Sequence, residues 1–145
     1  MRKLILILSI AFSLAAIGEA ARWDSIIAEY RGVFIGTARD QVHEKLGKPE
    51  NEFAGEDDFK VSDTETVRVF YDDSKKVKAM VITFSGKLDA APKPTEVLGE
   101  TAEPKPDGGI YKMVRVEDKG FWVSYVKTAG DNPSVMITVQ ALKSS

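Results

Sequence analysis

The chain holds one histidine, His43, and no cysteine, so acid–base, thiol and metal chemistry have few places to begin. A nucleophilic dyad would set His43 against a hydroxyl and an orienting acid, yet no Gly-x-Ser-x-Gly elbow occurs. His43 stands beside the apolar stripe of a short helical pattern, with Arg39 one turn before it, and reads as a surface histidine. Without thiols, a transition-metal site would need mostly carboxylates. These gather at Glu50, Glu52, Glu56, Asp57 and Asp58. A calcium loop alternates its oxygen ligands and sets glycine at the tight turn. Here the acids are clustered and Gly55 precedes the densest run, so Glu50–Phe59 reads as a solvated loop pinned by Phe53 and Phe59. Asp72-Asp73 suits turn chemistry. Gly108-Gly109 and Gly120 fall in turns and form no Gly-x-x-x-x-Gly-Lys phosphate loop. The sequence thus assigns no catalytic residue, no metal site and no cofactor.

The elements that would position any site follow from punctuation and periodicity. Gly36–Pro49 is a short helix with both ends marked. Thr37 is the N-cap, Asp40 completes a capping box, Ala38, Val42 and Leu46 make the stripe, and Gly47 and Pro49 end it. Upstream, Trp23, Ile26, Ile27 and Tyr30 follow the spacing of an amphipathic helix. Downstream, Thr66–Tyr71 and Val77–Phe84 alternate as a β-hairpin across Asp72–Lys76. With a five-residue loop, Val67, Val69 and Tyr71 share a face with Val77, Ala79 and Val81. Arg68, Phe70, Lys78, Met80, Ile82 and Phe84 then lie on the other. A one-residue slip would mix these sets.

Ser85–Pro106 is broken repeatedly by proline and glycine. Within it Ala91–Gly99 echoes the capped helix, so segments 36–84 and 91–141 can be read as a degenerate helix-plus-hairpin repeat. Gly109–Val116 and Phe121–Lys127 are strands joined by a turn that closes on a left-handed Gly120, and Val135–Ala141 is the last strand. The expected fold is α+β: an antiparallel meander of about five strands with short helices on one face.

Length and composition set the frame. A chain of 145 residues with 43% hydrophobic content and 29% charge predicts one domain with a core. Its net charge of -2 argues against nucleic-acid binding. Arg2 and Lys3, the apolar run Leu4–Ile17 and the small residues Gly18 and Ala20 have the form of a secretory signal over 1–20. Residues 21–145 are then the exported domain, periplasmic or secreted. An uncleaved signal would be its one membrane contact.

Gly36-Thr37, Gln41-Val42, Leu46-Gly47-Lys48-Pro49, the charged loop and the Val-Arg-Val-Phe-Tyr strand together resemble small exported modules of the SmpA/OmlA type, the BamE-like domains. They are also similar to the repeat unit of β-lactamase inhibitor proteins. Both resemblances imply helices packed on an antiparallel sheet and a role in binding other proteins. The lipoprotein cysteine of the outer-membrane assembly members is absent.

The expected function is therefore an exported, non-enzymatic binding module whose partner is another exported or envelope protein. Arg68, Phe70, Lys78, Met80 and Trp122 form the candidate face, because aromatic, Met and Arg side chains are enriched at protein interfaces. The same face is core if the Trp23–Tyr30 helix covers it. The alternative function is a small carboxylate-based hydrolase or a ligand carrier with a cleft.

Overall fold

The computed structural model describes residues 28–143. The expected signal segment 1–20 and the expected helix residues Trp23–Ile27 lie outside the described residues. Strands β1 (Glu29–Tyr30) and β2 (Val33–Phe34) form a small hairpin. Its two turn residues both carry positive φ, 49° at Arg31 and 81° at Gly32, the conformation that matches the twist of flanking strands. Helix α1 (Arg39–Leu46) follows, then β3 (Asn51–Glu52), β4 (Glu56–Lys60), β5 (Glu65–Tyr71) and β6 (Val77–Phe84). A short helix, α2 (Pro94–Leu98), precedes β7 (Ile110–Val116), β8 (Phe121–Lys127) and β9 (Val135–Ala141).

The main sheet is antiparallel, with seven strands in the order β3-β4-β5-β6-β9-β8-β7. The expected helix-packed α+β fold with a five-strand meander is therefore overturned. The protein is mostly β, with one eight-residue helix and one five-residue helix among the described residues. Two causes account for the difference. The acidic stretch is not a loop but strands β3 and β4. Its buried Asp57 disguises a regular alternation in which Asp57 and Phe59 face inward. The order also departs from a meander, because β9 inserts between β6 and β8 and sends β7 to the far edge.

The upstream helix is corrected where it can be seen, since Glu29–Tyr30 is strand. The capping box does not form. Ala38 is the N-cap of α1 with no side-chain cap, and the hydroxyl of the buried Thr37 instead accepts the Phe34 N–H at 3.1 Å. The helix entry is held by backbone bonds to the β5–β6 turn and the start of β6. Gly36 N–H donates to Val77 at 2.7 Å, Val77 N–H to Thr37 at 2.9 Å and Arg39 N–H to Lys75 at 2.9 Å. A strand neighbour does the work assigned to a cap. Gly47 ends α1 as expected at φ 87°.

The β5–β6 hairpin keeps its five-residue loop, since Tyr71 pairs with Val77. The next pair is Phe70 with Ala79, so Lys78 is the extra residue of a bulge. Beyond it every β6 side chain changes face. Met80, Ile82 and Phe84 join Val67, Val69 and Tyr71 in the core, and Ala79 and Val81 go outside with Arg68 and Phe70. The core also takes Val33, Val42 of α1, Val97 and Leu98 of α2, and Val123, Tyr125, Ile137 and Val139.

Candidate functional site

Helix α1 and strand β4 meet over the end of the sheet, and period-2 alternation aims Asp57 into that junction. Its side chain is fully buried. Arg39 grips it with both arms. Nη2 donates to Oδ1, and Nε donates to Oδ2 at 3.0 Å. Tyr71 O–H donates to Oδ2 at 2.8 Å, and His43 Nε2 lies 2.7 Å from the same oxygen. An ionised carboxylate only accepts, so Nε2 carries the proton. Arg39 and His43 are four apart and share one helix face, which is why one carboxylate can meet both.

Burial pushes the Asp57 carboxyl up. Hydrogen bonds from Arg39, His43 and Tyr71, together with the Arg39 charge, outweigh burial and hold it below the usual carboxylate range. Burial and the Asp57 carboxylate push the Tyr71 phenol well above its ordinary value. The Arg39 guanidinium lies 5.1 Å from the Tyr71 ring centre and donates to the Phe53 carbonyl at 3.0 Å. His43 packs edge-on to Phe59, 5.9 Å between centroids.

His43 is thus a bonded member of the junction rather than a free surface residue, with 29% of its side chain exposed. Its Nδ1 faces Glu52 Oε1 at 3.8 Å. Ligand atoms of His43, Glu52 and Asp57 lie within 4.8 Å of one another. A metal ion there would have to compete with Arg39 for the Asp57 carboxylate, whose charge is already balanced by that guanidinium. For nucleophilic catalysis the one hydroxyl in the cluster is Tyr71, and that proton is spent on Asp57. What the geometry does is lock α1 to β4 and β5.

The candidate binding residues are divided by the register. Phe70 and Trp122 fall in one row across the outer face of the sheet, Glu56–Phe70–Ala79–Gln140–Trp122–Arg115. Arg68 occupies the next row, Asp58–Arg68–Val81–Thr138–Ser124–Met113, and pairs with Asp58. Lys78 is exposed at the bulge, on the rim of a hollow of about 450 Å³ that Phe70 also lines. Met80 is removed from the face altogether, with 0% exposure in the core. A second hollow, about 470 Å³, lies between Arg68, Phe70, Val81 and Met136. The sequence reading missed Tyr111, Met113 and Met136, which are exposed on this face at 58%, 42% and 40%. The alternation of β7 and β9 was the available signal. It also missed Arg39, Asp57 and Tyr71.

Fold and cluster define a mostly-β protein with one large antiparallel sheet, latched at one end by a buried carboxylate. No family model matches the chain, and no curated protein matches it. Among solved structures it is similar to a DUF4309 family protein, YjgB, of Bacillus subtilis subsp. subtilis str. 168. The TM-score is 0.54 at 14% identity, over 84% of this chain and 91% of that one. At that identity the likeness concerns the fold alone. The BamE-like and inhibitor-type resemblance has no counterpart in these comparisons.

Proposed function

We propose that this chain is an exported, non-enzymatic binding module that docks a protein segment on the outer face of its large sheet. One observation carries the reading. The face opposite the core keeps Phe70, Val81, Trp122, Met113, Met136 and Tyr111 at least partly exposed, in adjacent cross-strand rows. A solvated sheet face has no physical need of such side chains, whereas an interface core does. The leader-like segment 1–20 supports export. No described helix is long and apolar enough to cross a membrane.

The chemistry of the partner follows from the hollow beside Phe70. Lys78 and Lys143 line it together with Ala79, Val81 and Leu142, and no acidic residue does. An apolar segment carrying Asp or Glu complements that combination, the carboxylate meeting a lysine and the apolar side chains meeting Phe70 and Val81. Selection of displayed random peptides on the purified protein tests this. The expected winners combine apolar side chains with carboxylates, lose binding to the Phe70→Ser variant and weaken with Lys78→Glu and with salt. Selected peptides that bind Phe70→Ser and Lys78→Glu as well as wild type would overturn the reading.

A further inference from the structure

The two edges of the large sheet are built differently. Edge strand β3 is two residues long, polar and acidic, the usual way of discouraging further pairing. Edge strand β7 is seven residues, contains no proline or glycine and pairs with β8 without a bulge. Among the described residues, the Tyr111–Arg115 backbone makes no hydrogen bond beyond the ladder to β8. Charged side chains often guard such an edge, but here both are engaged within the chain. Lys112 Nζ donates to the Thr101 carbonyl at 2.8 Å and meets Glu100 at 2.9 Å, and Arg115 Nε donates to Glu117 at 2.8 Å. The uncharged side chains turned outward are Tyr111 and Met113, with the Glu117-paired Arg115 beside them.

We propose that β7 pairs antiparallel with β7 of a second copy, about a two-fold axis through Met113. A two-fold interface must be self-complementary, and the sequence Ile-Tyr-Lys-Met-Val-Arg-Val meets that condition. Centred on Met113, all residues of β7 find a partner. Met113 meets Met113 of the second copy, and Tyr111 meets Arg115, an aromatic face opposite a guanidinium. Lys112 meets Val114, and Ile110 meets Val116. No like charges oppose each other. Moving the axis to Lys112 or Arg115 would set identical cations face to face, and moving it to Val114 would leave Ile110 and Tyr111 unpaired. The two sheets then become one continuous sheet, with their outer faces on the same side. A strand seam is small beside a standard interface of about 1,600 Å², so the dimer is reversible and depends on concentration. The proposal stands on the β7 edge and does not depend on the outer face docking a partner.

Sedimentation of the exported chain over a concentration series tests it. Wild type is expected to pass reversibly from monomer to dimer. Met113→Lys and Met113→Glu change an exposed position, so each should unfold at the wild-type denaturant concentration and each should stay monomeric. Mixing the two should restore the dimer, because Lys then faces Glu across the axis. Met136→Lys, exposed on the same face but off the edge strand, should dimerise like wild type. Three results would overturn the proposal: a wild type that stays monomeric up to the highest soluble concentration, a dimer that both Met113 variants leave intact, and a dimer that both abolish but their mixture does not restore.

Discussion

His43 of helix α1 and Asp57 of strand β4 meet at 2.7 Å across 14 residues of sequence, on an oxygen that also takes the Tyr71 hydroxyl. Removing the carboxylate leaves the Arg39 guanidinium without its anion at a largely buried junction, so Asp57→Ala is expected to cost about 3–5 kcal/mol. His43→Ala removes one hydrogen bond to a charged group from a partly exposed ring and should cost about 1–2 kcal/mol. Denaturant titration of both, with the double variant, measures them. Strictly additive losses would separate the two residues, whereas a shared network predicts a double variant less damaged than the sum.

The same carboxylate sets an acid limit. The folded-state value of Asp57 lies below its ordinary 3.8. Its contribution is therefore fully present above the ordinary value and lost as pH falls below it toward the folded value. Wild type should lose stability below about pH 4 more steeply than Asp57→Asn, whose side chain does not titrate. Thermal melts between neutral and strongly acidic pH give the two slopes. Tyr71 acts at the other end. Its folded value is raised, so its contribution is present at neutral pH and lost as pH rises above about 10. Tyr71→Phe should be less stable at neutral pH and should flatten the alkaline decline.

The bulge at Lys78 predicts opposite fates for two neighbours in space. Met80→Ser puts a hydroxyl and a cavity into the core and is expected to cost about 2–5 kcal/mol. Phe70→Ser changes a partly exposed side chain on the outer face and should cost less. Equal losses in a denaturant titration would mean that the faces are assigned wrongly.

Thr37 offers a residue-level test. Thr37→Val removes the acceptor of the Phe34 N–H, so amide exchange should quicken at Phe34 while the first turn of α1 is unchanged. Thr37→Ser should restore protection. Quickening confined to Arg39–Val42 would favour the capping role instead.

Local punctuation was legible in the sequence wherever the neighbours in sequence are also the partners in space. The Gly47 stop, the turn into Gly120, the strands around Phe70, Trp122 and Ile137, and the second helix at Pro94–Leu98 are of this kind. What was not legible depended on distant partners. Thr37 looks like a cap until β6 supplies the backbone bonds. Asp57 looks like one solvated acid among five until Arg39, His43 and Tyr71 converge on it. Lys78 carries no mark of a bulge, yet it exchanges Met80 for Ala79 on the outer face. The insertion of β9 between two hairpins has no local signature at all.

That insertion has a consequence for how the molecule can assemble. Of the strands described, β9 comes last along the chain, yet it pairs with both β6 and β8. The β5–β6 and β7–β8 hairpins can each close through short-range contacts. Neither touches the other's ladder until Val135–Ala141 arrives. Joining distant segments through a late strand raises the contact order and slows the final step. During synthesis from the N-terminus, the two hairpins would wait as separate pieces with open edges. A chain cut short before Val135 would hold both and still lack the strand that makes them one sheet.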